Sequence, residues 1–238
     1  MVHECFVNNA GVNISYYKIN EEVGGLPLII IPGITNSANE VIAAFSEDLP
    51  IYHIVISLRG RGKSDSPESN YSLDDQAGDI NAVVAVENLA GYFLFGYSVG
   101  TGIAIRAAAL NKDKVKGLFL GDFPPFYPPL DKSWGSQVIR GNKLQITKTA
   151  VDGLVKDAKY IDLSDDINSL DSFVIALKAT DENAAIRTQD VEGLQRKCPN
   201  VQIVELEDTG HDMFLDNPEL VSEVLQGCIA GALSTSIE

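Results

Sequence analysis

The sequence predicts an α/β fold: a mostly parallel, doubly wound sheet with helices on both faces. Three observations carry this. Apolar runs at residues 26–31 and 51–58 have strand length and no alternation, as strands buried on both faces do. Helical patterns at residues 73–89 and 100–110 separate such runs, and alternation of the two element types gives a parallel sheet. The 238 residues carry no Pro- or Ser-rich linker and no internal repeat, which suits one large domain with a sizeable core.

Residues 5–18 alternate around Asn8-Asn9-Ala10-Gly11 and read as a β-hairpin. Strands at 26–31 and 51–58 follow. The helix at 73–89 opens on Ser72-Leu73-Asp74-Asp75, a capping-box arrangement, and carries Ile80, Val83, Val84 and Val86. A strand at 92–95 leads into the helix at 100–110, and a strand at 115–120 comes next. The rhythm then breaks. Phe123-Pro124-Pro125-Phe126-Tyr127-Pro128-Pro129 is stiff and aromatic, and Trp134, the only tryptophan, precedes helical stretches at 138–144 and 149–160. Strands at 173–177 and 201–206 and helices at 191–197 and 218–225 complete the order.

A net charge of −15 argues against nucleic acid and anionic membrane surfaces as partners. No apolar run reaches membrane-span length. The start, Met1-Val2-His3-Glu4-Cys5, has neither the basic nor the apolar region of a secretory signal. Cys5, Cys198 and Cys228 are odd in number and widely spaced, as reduced thiols are. A cytoplasmic protein acting on a small molecule is expected.

The chemistry centres on Gly96-Tyr97-Ser98-Val99-Gly100. A strand, a tight turn with small flanking residues and a helix are what a nucleophile elbow needs. A serine alcohol needs a base, and there are three histidines. His3 is at the frayed N-terminus, and His53 lies at the wrong end of the sheet. His211, in the loop Glu207-Asp208-Thr209-Gly210-His211-Asp212 after the last strand, is the expected base. The third group must be a carboxylate that orients the imidazole. Asp181, after the strand at 173–177, is favoured, with Asp122, after the strand at 115–120, as runner-up. Val99 and Ile34 are the expected N–H donors of an oxyanion hole, Ile34 lying in Pro32-Gly33-Ile34-Thr35-Asn36-Ser37.

Two decoys fall away. Gly60-Arg61-Gly62-Lys63-Ser64 looks like the end of a phosphate loop, but Ser57 stands where its first glycine belongs. Gly100-Thr101-Gly102 suggests a dinucleotide loop, but position 105 is Ile. No His, Cys and Asp cluster has metal-ligand spacing.

Together, Leu28-Ile29-Ile30-Ile31-Pro32-Gly33-Ile34, Arg59-Gly60-Arg61-Gly62-Lys63-Ser64, the elbow, and Gly210-His211 followed by Asp216-Asn217-Pro218-Glu219 resemble the α/β-hydrolase superfamily, in its small serine esterase, lactonase and C–C hydrolase branch. The order nucleophile, acid, base is that superfamily's. The likeness departs where Pro32-Gly33 replaces the common His-Gly, and where Ser57-Leu58 replaces an aspartate before Arg59. The resemblance implies one domain over 1–238, with a small cap inserted after the sixth strand at about 123–170. Phe123, Phe126, Tyr127, Trp134 and Met213 are its expected pocket residues. It also implies cofactor-free hydrolysis of a small or medium ester or lactone. C–C hydrolysis or perhydrolysis with the same triad, and a ligand-sensing protein with slow turnover, are the alternatives.

Overall fold

The structure, a computed structural model, describes residues 1–141 and 145–235. The chain enters on a hairpin of β1 (Val2–Asn9) and β2 (Val12–Ile19), which turns through Ala10 and Gly11 at φ 51° and 88°. Two positive-φ residues make the turn whose twist matches the strands. There follow β3 (Leu28–Ile31), α1 (Ala38–Phe45), β4 (His53–Ile56), α2 (Leu73–Val86), β5 (Tyr92–Tyr97), α3 (Gly100–Leu110) and β6 (Val115–Gly121). The region where the rhythm breaks holds β7 (Phe126–Tyr127), α4 (Lys132–Arg140), α5 (Lys148–Asp157), β8 (Ile161–Asp162) and α6 (Ser164–Asn168). The chain ends on β9 (Phe173–Ala179), α7 (Thr188–Lys197), β10 (Val201–Leu206), α8 (Met213–Asp216) and α9 (Pro218–Thr235).

Among the described residues, one sheet of eight strands runs β1-β2-β4-β3-β5-β6-β9-β10. β2 pairs antiparallel with β1 and β4, and every pair from β4 to β10 is parallel. The predicted fold class is therefore the observed one. Both faces of the central strands are buried, and β3 shows why its sequence is continuously apolar. Ile29 and Ile31 join a cluster with Ile80 and Val83 of α2 and Ile103 of α3. Leu28 and Ile30 join one with Val41 and Phe45 of α1 and Val221 and Leu225 of α9. One residue in two faces each layer of helices.

β3 lies between β4 and β5. The chain leaves β3 toward one side of the sheet and leaves β5 toward the other. The loops at the carboxyl ends of these two strands thus flank a topological switch point, where open α/β sheets bind ligands.

Ser72 caps α2 as predicted: its Oγ accepts from Asp75 N at 3.2 Å while Asp75 Oδ2 accepts from Ser72 N at 3.0 Å. Two helices show where the structure departs from expectation. α1 has no predicted counterpart, because its apolar positions fall in a short, polar-flanked stretch. The helix expected at 138–144 begins earlier, at Lys132, where Asp131 caps it by accepting from Trp134 N at 2.8 Å. Residues 142–144 of that expectation lie outside the described residues. Among the described residues, no helix is long and apolar enough to cross a membrane.

Candidate active site

The elbow is built by close approach. A Cβ on Gly96 would lie 2.6 Å from Thr101 Cα, and one on Gly100 would lie 2.3 Å from Pro32 O. Only glycine lets β5, α3 and the loop after β3 meet this tightly. Ser98 between them takes φ 54°, a left-handed conformation uncommon for a serine and typical of functional turns. Its N–H donates to Gly121 O at 2.9 Å, and Thr101 Oγ1 donates to Gly96 O at 2.8 Å, which locks the turn against β6 and α3.

This places Ser98 Oγ 3.0 Å from His211 Nε2. His211 Nδ1 lies 2.8 Å from Asp122 Oδ2. A Nδ1–H given to a carboxylate leaves Nε2 as an acceptor, the tautomer a base facing a serine needs. Ser98 and His211 are partly exposed, and Asp122 is fully buried.

The carboxylate at His211 is thus Asp122 and not Asp181. Asp122 turns out of β6 at φ 45°, another left-handed position. It accepts Ala185 N at 2.7 Å, and Ala179 N and Ile186 N each at 3.3 Å. Three backbone donors and the imidazole compensate the burial of its charge. The last residue of β9 and the loop after it supply the backbone donors. Asp181 sits on the outer side of that loop, exposed, with its N–H on Thr209 O at 3.1 Å and its carbonyl accepting from Ala184 N at 3.0 Å. Its loop shapes the site through backbone amides and through Asn183, whose Oδ1 accepts His211 N at 3.1 Å.

Tyr97 fixes the other side of the imidazole. The two ring centroids are 5.4 Å apart, and the Tyr97 hydroxyl donates to His211 O at 2.9 Å and Asp212 Oδ1 at 3.1 Å. Burial first, then the neighbouring Asp212, pushes this phenol well above its usual range, so it stays a donor. His53, by contrast, is fully buried at the amino end of β4, opposite the start of β3. Its Nδ1 meets Ile51 O at 2.8 Å and its Nε2 meets Ser46 Oγ at 3.1 Å. Burial pushes its pKa down.

Val99 and Ile34 N–H groups have no acceptor among the described residues. Val99 stands at the N-terminus of α3 and Ile34 in the loop after β3. The departures from the superfamily pattern are absorbed nearby. Pro32 packs its carbonyl against Gly100, and Ser57 Oγ accepts Ala38 N at 3.0 Å, capping the first turn of α1.

The expected pocket residues do not assemble. Tyr127 and Met213 are fully buried in the two core clusters, and a side chain with no accessible surface lines no open pocket. Tyr127 instead accepts Gln76 Nε2 at 2.9 Å. Phe123 and Trp134 are half-buried against the core. Phe126 stacks between Phe123 and Tyr160, at 5.3 and 5.5 Å, and lines a separate cleft of about 170 Å³ with Pro124 and Pro125. Another cleft, of about 450 Å³, lies beside Tyr97 between α1 and α8, lined by Val41, Ala44, Phe214 and Leu215 with Glu40 and Asp212. One of its walls is α1, the helix that the sequence pattern missed. The Gly-Ile-Thr-Asn-Ser stretch before it, ending on the N-cap Ser37, was the available signal.

A family model for the alpha/beta hydrolase fold matches residues 27–144. N-formylmaleamate deformylase of Pseudomonas putida is 37% identical over 138 residues, which cover 54% of this chain and 50% of that protein. The chain thus spans about half the length of this curated relative. Among solved structures, an esterase from Exiguobacterium antarcticum superposes with a TM-score of 0.79 at 19% identity, covering 96% of this chain and 100% of its own. The N-formylmaleamic acid deformylase of Pseudomonas putida S16 superposes with a TM-score of 0.74 at 23% identity, covering 95% and 100%. At these identities the solved structures share the fold.

Proposed function

Because the chain belongs to the α/β-hydrolase superfamily, we propose that it is a serine hydrolase that cleaves a small or medium carboxylic ester or lactone through an acyl-enzyme on Ser98. The single observation that carries this is the continuous chain Ser98 Oγ, His211 Nε2, His211 Nδ1, Asp122 Oδ2, at 3.0 and 2.8 Å. His211 takes the hydroxyl proton as Ser98 attacks the carbonyl carbon. The Val99 and Ile34 N–H groups hold the tetrahedral oxyanion, and the dipole of α3 adds to them. The carbonyl re-forms as the leaving alcohol departs with the proton from His211. A water, giving its proton to the same imidazole, then releases the acid and restores Ser98. Asp122 accepts the Nδ1–H and so orients the imidazole and holds the imidazolium. On this reading residues 123–170 form a small cap on one domain, and no step needs a cofactor.

A second reading is favoured by the curated relative named as an N-formyl deformylase: the same residues would cleave an N-acyl amide, with an amine in place of the alcohol. Hydrolysis of p-nitrophenyl acetate and of 4-nitroacetanilide by the wild type and Ser98→Ala tests both. Turnover of either that vanishes in the variant supports the serine mechanism and tells ester from amide. Turnover that survives in Ser98→Ala contradicts it.

A further inference from the structure

The segment Gly60-Arg61-Gly62, an incomplete phosphate loop by sequence, holds an arginine that this mechanism does not use. Arg61 is fully buried. Its guanidinium meets no carboxylate among the described residues. Nε and Nη2 both donate to Ile34 O, at 2.9 and 2.7 Å, and Nη1 donates to Arg59 O at 2.6 Å. Arg59, two residues before, shows the usual solution: its Nε and Nη2 each lie 2.7 Å from the carboxylate of Asp79. A buried cation that faces only backbone carbonyls is costly to hold. Burial pushes Arg61 down to about 10, which leaves it charged at neutral pH. Packing alone does not require it, since an apolar side chain of similar length fills the same space without that desolvation. The identity of the acceptor is therefore the informative part. Two of its donors converge on Ile34.

We infer that Arg61 is a positioning residue: by gripping the Ile34 carbonyl it holds the loop after β3 in the conformation that presents the Ile34 N–H to the oxyanion formed at Ser98. The inference rests on the serine-hydrolase reading above. The grip is itself anchored. Arg61 N donates to Leu58 O at 3.0 Å, Arg61 forms an isolated bridge with Ile146, and Gly62 N donates to Gln145 O at 2.9 Å. Gln145 Oε1 accepts Ser37 Oγ at 2.8 Å, which ties the far end of the same loop to the same segment. Between these two ties the loop carries one turn bond of its own, Asn36 N to Gly33 O at 3.0 Å. A donor that must not reorganise during reaction is thus carried by an irregular loop and held from outside.

Arg61→Met and Arg61→Lys test this, the first without donors and the second with charge but a single-point donor. Lys63→Ala, in the same loop and exposed, is the control. The probe is an alkyl fluorophosphonate. Ser98 Oγ bonds to phosphorus, fluoride leaves, His211 takes the proton, and the phosphoryl oxygen occupies the oxyanion hole. The limiting rate kinact and the constant KI are measured on protein shown to be folded by circular dichroism. In both Arg61 variants kinact is expected to fall about tenfold or more, with KI within about twofold and the pH midpoint of labelling unchanged. Lys63→Ala is expected to match the wild type. A folded Arg61→Met with kinact within twofold of wild type overturns the inference, as does a change confined to KI or an equal loss in Lys63→Ala. Failure of both Arg61 variants to fold also overturns it, because the guanidinium would then serve the body of the protein. The underlying reading fails differently: Ser98→Ala would label as fast as the wild type.

Discussion

Asp122 and Asp181 stand at the carboxyl ends of neighbouring parallel strands, β6 and β9, yet they have opposite surroundings. Asp122 is fully buried, accepts three backbone N–H groups and meets His211 at 2.8 Å. Asp181 is exposed, and its backbone is spent on the turn that it begins. The difference teaches that a strand end offers a carboxylate a place, and the path of the next loop decides whether it becomes part of a site. Here the loop after β9 folds its amides over the carboxylate of β6. The loop thus contributes to the site without contributing its own acid.

The largest effect expected from this contrast is on activity. Asp122→Asn should lower kcat on the order of 10³- to 10⁴-fold, because an amide no longer fixes the imidazole tautomer. Asp181→Asn should leave kcat within about twofold. Steady-state hydrolysis of p-nitrophenyl acetate reads both, and the reverse pattern would break the comparison. Stability comes next. Asp122→Ala leaves three inward N–H groups without their acceptor and should cost roughly 2–4 kcal/mol in urea unfolding. Asp181→Ala should change it by less than about 0.5 kcal/mol.

A smaller effect sharpens the same point. If the loop after β9 acts through its backbone and Asn183, Asn183→Ala removes the acceptor of His211 N and should slow turnover about three- to tenfold, with KM little changed. An unchanged kcat would assign that hydrogen bond no role in aiming the ring. The smallest effect concerns His53, which is buried away from the site. His53 is held below its unfolded value, about 6.5. As pH falls through that value, the unfolded chain takes up a proton that the folded one refuses, so stability present at pH 7 is lost toward pH 5. His53→Gln should flatten the fall in Tm between pH 7 and 5 while Ser98 labelling stays at the wild-type rate.

Much of the fold was legible because burial on both faces leaves a mark in sequence. The runs in β3, β5 and β6 read as strands without reference to anything distant, and Gly96 and Gly100 flanking Ser98 announced a turn that only small residues allow. His211 was legible by elimination, since His53 sits at the amino end of its strand. The acid was not, because its identity depends on where residues 179–186 run. A local signal did exist. Asp181 lies in Thr180-Asp181-Glu182-Asn183, the composition of a solvated turn, whereas Asp122 follows the apolar strand directly and precedes Phe123-Pro124-Pro125. The pocket failed for a related reason. Aromatic character marks Phe126, Tyr127 and Trp134 as large apolar bodies, and whether such a body faces a cavity or the core is set by contacts distant in sequence, such as Gln76 of α2 and Gly102 of α3 against Tyr127, that no local pattern records.

The central claim is that Ser98, aimed by His211 and Asp122, is the nucleophile. It is tested most directly by intact-mass measurement of fluorophosphonate labelling rates in the wild type, Ser98→Ala, Asp122→Asn and Asp181→Asn. The account predicts one adduct on Ser98 in the wild type, an equal rate in Asp181→Asn, a rate slowed by orders of magnitude in Asp122→Asn, and no adduct in Ser98→Ala. An adduct that persists in Ser98→Ala, or a rate lost in Asp181→Asn and kept in Asp122→Asn, would contradict it.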